Sequence, residues 1–259
     1  MEITASMVKE LRERTGIGMM ECKKALVAAG GDIEVAIEEL RKKGLASAAK
    51  KADRETSEGW IKVECEGGKC YVISLSCETD FLAKSEGFQK LMNTLMEMLK
   101  AGKSMDEMEN LKQESVLELG ENMVIKEAKV IGGAGVESYV HSNGKLAAVV
   151  VAKEASTDAG KMRQVAMHVT ATNPDYLRTS DISEDVVEKE KSIQLEVMKN
   201  DPKMANKTDD VLLKIIEGKM GKFKSEISLL EQAFVVDPNV KVKDFIGENS
   251  LESFYRFSI

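Results

Sequence analysis

Two stretches of this chain follow the same plan, and that echo limits the fold more than any single motif does. In the first, EGWIKVECEGGKCYVISLSC reads as a strand, a Gly-Gly turn and a second strand. A helix, SEGFQKLMNTLMEMLKAG, comes next, with Phe88, Leu91, Leu95 and Leu99 on one side. After a further helical segment, NMVIKEAKVIGG returns as a strand. In the second, VESYVHSNGKLAAVVVAK is a hairpin around Asn143-Gly144, DAGKMRQVAMHVTATNP is its helix, and ESFYRFSI is the returning strand, displaced to the far end. A small antiparallel sheet has one apolar face, and a helix laid on it covers that face. The expected class is therefore α+β, with two similar subdomains at 55–136 and at 137–180 joined to 225–259.

The flanking segments read as all-helical. Residues 1–54 form a predicted three-helix module. Its first helix has Thr4 as N-cap, Val8 and Leu11 on one face, and a stop at Gly16. Its second carries Met19, Cys22, Leu26 and Ala29 at helical spacing, and its third starts at Asp32 with a stripe of Ile33, Ala36, Ile37 and Leu40 and a stop at Gly44. ASAAKKADRETSEG then reads as a solvated link. The insertion at 181–224 is polar and helical. Val186, Ile193 and Val197 line one stripe, Asn200-Asp201-Pro202 breaks the helix, and Leu212, Ile215 and Ile216 line the next. Narrow stripes flanked by charge predict an antiparallel coiled-coil hairpin.

With 43% hydrophobic and 31% charged residues the chain has enough apolar side chains for a packed core. Three prolines favour long helices over loop-rich β architecture. The formal charge of −7 argues against a direct nucleic-acid surface, which needs clustered positive charge. No segment has the apolar run of a membrane span or a secretory leader, so the expected compartment is cytoplasmic. Cys22, Cys65, Cys70 and Cys77 contain no C-x-x-C pair, so no metal site is expected. Cys65 and Cys70 flank a turn, but in a reducing cytosol they read as free thiols.

A search for chemistry finds none. His168 lies among Val165, Met167 and Val169 and reads as a core histidine. Gly102-Lys103-Ser104 fails as a phosphate loop because Glu97 stands where glycine is needed. Neither cofactor nor bound nucleotide is expected. What stands out is CETDFLAKSEGF, where Phe81 sits beside Asp80 at a strand-to-helix connection. One reading tucks Phe81 under its own helix as a staple, with Thr79 or Asp80 as the cap. The other presents it to a partner. Met19-Met20 and the pair Lys9 and Arg12 pose the same choice between packing or solvation and contact.

Six segments settle the balance: TASMVKELRERTGIGMMECKKAL, GGDIEVAIEELRKKG, CETDFLAKSEGF, AMHV, SLLEQAFVVDP and FYRF. In order and spacing, over essentially the whole chain, they resemble the bacterial translation elongation factor Ts family. The resemblance implies a ubiquitin-associated-like three-helix domain at 1–54 and a coiled-coil insertion. It implies guanine nucleotide exchange on elongation factor Tu, a GTPase, without covalent chemistry. Asp80 and Phe81, with Thr79, would form the loop that disturbs the partner's magnesium and phosphate site. Lys9, Arg12, Met19 and Met20 would grip a helix of its G domain; Leu119 and Gly120 would face that domain, and His141 would meet its third domain. A homodimer, or a 2:2 assembly with the partner, is compatible with the same likeness. Two departures are visible: Phe81-Leu82 replaces the family's usual Phe-Val, and the chain ends at YRFSI where longer members continue into a helical tail.

Two rivals use the same residues. A holdase-like role would rest on the hairpin, and a ubiquitin-like-fold adaptor would read another partner through residues 1–54. An enzyme with Cys77 as nucleophile near His141 lacks an acid to orient the base.

Overall fold

The computed structural model describes residues 3–200 and 209–259. Two three-stranded antiparallel sheets form its centre, one ordered β1-β2-β3 and the other β4-β5-β6. The strands are β1 (Glu58–Glu66), β2 (Lys69–Cys77), β3 (Met123–Gly132), β4 (Gly135–Val140), β5 (Leu146–Ala152) and β6 (Leu251–Ser258). In each sheet a hairpin supplies two neighbouring strands and a distant strand completes the third position, as the sequence echo implies.

Each sheet carries a helix because its apolar face needs cover. On the first, α5 (Glu86–Lys100) buries Phe88, Leu91, Met92, Leu95, Met96 and Leu99 over Ile73 and Leu75. On the second, α7 (Ala159–Thr172) buries Met162, Val165, Ala166 and Val169 over Ala148 and Val150. The opposite sides of the two sheets share an apolar layer of Ile61, Val72, Ile131, Ala147, Val149, Val151 and Phe257. Buried His168 ties the second helix to the segment that follows the insertion. Its Nδ1 accepts from the Val235 amide at 3.1 Å, so its Nε2 donates to Gln232 Oε1 at 2.8 Å. Burial holds this imidazole below its ordinary value near 6.5.

The N-terminal helices are α1 (Ala5–Thr15), α2 (Met19–Ala28) and α3 (Ile33–Lys51). Thr4 caps α1 by accepting from Met7 N, and Asp32 caps α3 by accepting from Glu34 N and Val35 N. Val8, Leu11, Cys22, Leu26, Ala36 and Leu40 form their common core. The link expected from Ala46 onward is a correction: α3 runs on to Lys51 and buries Ala48. Gly44 does not stop the helix. It allows α6 (Met105–Leu119) to approach, since a Cβ there would lie 3.0 Å from the Glu114 carbonyl oxygen.

Two further expectations are corrected. Cys65 and Cys70 sit directly opposite each other on β1 and β2 and are joined as a disulfide, their Cα atoms 4.0 Å apart. Cross-strand pairing brings the sulfurs together regardless of the irregular spacing. In the insertion, α8 (Glu184–Lys199) packs on α9 (Asp209–Ile227) through Val187, Leu195 and Met198 against Leu212, Ile216 and Met220. Ile193 and Val197, taken from the sequence as the packing stripe, are exposed. Of the Asn200-Asp201-Pro202 break, Asn200 caps α8, and residues 201 and 202 lie outside the described residues.

Candidate functional site

The strand-to-helix connection folds into a one-turn helix, α4 (Asp80–Ala83). A four-residue helix has no stability of its own, so its ends must be held from outside. Thr79 is the N-cap, its hydroxyl accepting from Leu82 N at 3.2 Å. The same hydroxyl donates to Glu121 Oε1 at 2.6 Å, and the Thr79 amide donates to Glu121 Oε2 at 2.9 Å. Next to it Glu78 accepts from the Asn122 amide at 2.6 Å, and Asn122 Nδ2 donates to the carbonyls of Ala52 and Arg54 at 3.2 and 2.8 Å. At the other end, Gln89 Nε2 donates to the Ala83 carbonyl at 2.8 Å, while Ser85 caps α5.

Leu82 and Ala83 anchor this turn in the core of the first sheet. One turn of helix has room to bury two side chains, and Phe81 points away. It is 83% exposed. The staple arrangement is thus excluded, although Thr79 does act as the cap. Leaving a phenyl ring in water forgoes about 1.5–3 kcal/mol of burial energy, which the fold alone does not explain. Beside it Asp80 occupies the first helical position, where the backbone amides favour an anion. Its carboxylate accepts from Lys84 Nζ at 2.7 Å, and that hydrogen bond holds it below the usual carboxylate range.

Leu119 and Gly120 close α6 and lead into the loop that supplies Glu121. Gly120 ends α6 in the left-handed conformation and is exposed. Leu119 is half-buried against the first core, with its methyl over Gly87. Glu121 therefore joins this loop to the Asp80–Phe81 turn, a link spanning 42 residues that no local pattern signals. His141 is exposed at the β4–β5 turn, its Nδ1 3.2 Å from the Tyr139 hydroxyl. On the N-terminal helices, burial of Val8 and Leu11 turns Lys9 and Arg12 outward, with Lys9 3.7 Å from Glu13. Met19 and Met20 open α2 and are both exposed, Met20 to 67%.

The remaining nucleophile is sealed. Cys77 is buried and its thiol donates to the Thr79 carbonyl at 3.2 Å, while desolvation pushes its pKa up to about 12. Among the described residues no cluster of three or more His, Cys, Asp or Glu has the arrangement of a metal site, and no helix is long and apolar enough to cross a membrane.

Comparison with known proteins places the chain among relatives. The family model described as elongation factor TS matches residues 78–259, well over half the chain. An elongation factor Ts from Haemophilus influenzae (strain PittEE) is 43% identical over 266 aligned positions, covering 100% of this chain and 91% of the relative. This chain belongs to the elongation factor Ts family. Elongation factor Ts of Cronobacter sakazakii is similar at 41% identity, with 92% of its length covered, and that of Pasteurella multocida at 42%. As a member of that family the chain is a factor of translation elongation.

Proposed function

We propose that this chain is the guanine nucleotide exchange factor of elongation factor Tu, and that it acts by inserting Phe81 and Asp80 beside the magnesium ion of the GDP-bound GTPase. The observation that carries this reading is the 83% exposure of a phenyl ring on a turn whose backbone is fixed from both ends. The ring enters an apolar pocket of the partner and recovers the burial energy it lacks in the free chain. Asp80 exchanges its exposed Lys84 ion pair, a weak interaction in water, for the groups that organise Mg²⁺. The metal neutralises the nucleotide's phosphates, so disturbing its coordination weakens the strongest local attraction holding GDP. GTP then binds the emptied site.

No covalent bond changes. The factor favours the nucleotide-free partner, and by linkage GDP affinity falls in the same ratio. Distortion of the nucleotide site is offset by contacts elsewhere. Lys9, Arg12, Met19 and Met20 grip the G domain from the N-terminal helices, Leu119 and Gly120 touch it from the core, and His141 meets the third domain. Thr79 serves by holding the turn. Residues 1–54 then act as a ubiquitin-associated-like module, 55–136 and 137–180 with 225–259 as the two halves of the core, and 181–224 as a coiled-coil arm. The work takes place in the cytoplasm, with neither nucleic acid nor membrane as direct partner and a 2:2 assembly as one arrangement. Adding the protein to elongation factor Tu loaded with fluorescent GDP, with excess unlabelled GDP present, tests the reading. A faster fluorescence decay is expected, and an unchanged decay refutes it.

A further inference from the structure

Trp60, the chain's single tryptophan, lies on β1, which is an edge strand of the first sheet. That edge is engaged by the second hairpin's turn. The Ile61 amide donates to the Gly144 carbonyl at 2.7 Å. One residue earlier the Trp60 ring lies so close to Gly144 that an added Cβ would stand 2.3–2.5 Å from three ring atoms. Glu58 meets Lys145 Nζ at 2.6 Å. Gly144 is also left-handed, with φ +69°, so both its backbone and its neighbour demand glycine.

The two ends of this junction lead to different contact points. Trp60 packs against the core that buries Leu82 and Ala83, the inward side of the Phe81 turn. Gly144 donates to the His141 carbonyl at 2.8 Å, and the His141 amide donates to Leu146 O at 2.8 Å, which sets the turn carrying His141. The Lys145 charge also adds, after the Lys84 hydrogen bond and charge, to the pull that lowers the Asp80 carboxyl below its usual range.

We propose that Trp60, Gly144 and the Glu58–Lys145 pair are positioning residues that hold the His141 turn in fixed register with the Asp80–Phe81 turn, so that the GTPase meets both as one rigid surface. This rests on the exchange reading above. Two contacts on a rigid body are ordered in a single event, whereas on a loose joint the second must find its site separately. Loosening the joint therefore leaves docking largely intact and slows the insertion step. The maximal exchange rate falls, and the half-saturating concentration moves little.

Gly144→Ala tests it, with Gly102→Ala as control. Gly102 shares the left-handed backbone, at φ +71°, but a Cβ there meets nothing within 4 Å, so it reports strain alone. Gly144→Ala should lower the saturating GDP-release rate by about tenfold, the scale of a small misplacement at a reacting site, with less than about threefold change in half-saturation. Emission from Trp60 in the free protein should shift, while Gly102→Ala changes neither rate nor emission. Should Gly144→Ala fail to fold, Lys145→Gln leaves backbone and ring untouched, and a drop of about twofold or more in the saturating rate is expected. Shifted emission with a wild-type saturating rate overturns the proposal, as does equal slowing by both glycine variants or a wild-type rate in Lys145→Gln. Failure of the unmodified protein to speed GDP release sinks the exchange reading itself, and the positioning role with it.

Discussion

Replacing Phe81 by alanine separates the two things a ring at a helix tip does. The side chain is 83% exposed and makes no part of the buried core, so its loss should change the protein's own stability by no more than about 0.5 kcal/mol. In a chain of this size that is a melting shift of about 1–2 °C. Against the partner, the same truncation removes a burial of about 1.5–3 kcal/mol. If that energy is realised only when the nucleotide site is distorted, the maximal release rate falls by about 10- to 150-fold. Stopped-flow release of fluorescent GDP at saturating factor measures the rate, and scanning calorimetry measures the fold. A rate loss below about threefold, or a melting shift of many degrees in parallel with it, refutes the reasoning.

Arg12→Glu should weaken association with the GTPase by about three- to tenfold, more strongly at low salt, with the saturating rate unchanged; an unaltered Kd at both ionic strengths removes the N-terminal grip. Buried His168 predicts a pH slope. Its folded value lies below 6.5, so the unfolded chain takes up a proton first and stability falls as pH drops below that point. Protonated Nδ1 would also face the Val235 amide, and melting temperatures followed from neutral to mildly acidic pH should decline less in His168→Gln than in wild type. The thiols predict inertness. With Cys77 near 12 and Cys22 buried, iodoacetamide at mildly alkaline pH should label the folded, unreduced protein not at all and the denatured one at two positions; rapid labelling of the native state would reopen the nucleophile reading.

Both hairpins were legible because their turns are local. Gly67 and Gly68 in one turn and Gly144 in the other supply left-handed residues at the point where alternating apolar strands reverse. The helix caps at Thr4 and Asp32 were equally readable, each being a side chain reaching two or three residues ahead. What failed depended on distant packing. Gly44 looks like a helix stop until α6 is laid against it. Ile193 and Val197 have helical spacing and an apolar character, yet the stripe through Val187, Leu195 and Met198 wins the contact with α9. At the site, the oddity of Phe81 was visible from sequence. Its orientation was not, because that is set by Glu121 and Asn122 from one distant loop and by Gln89 from the helix that follows.

The one-turn helix under Phe81 is borrowed order. Thr79 hangs from Glu121, Ala83 from Gln89, and Leu82 from a core that α5 and the sheet assemble. Excised as a synthetic peptide, Cys77–Phe88 would lose most of these supports and sample mostly open conformations in water. Such a mimic would make a poor competitor despite carrying every atom of the tip. Blocking this surface calls for a scaffold that locks the turn from behind, or a molecule shaped to cover the ring where it already stands.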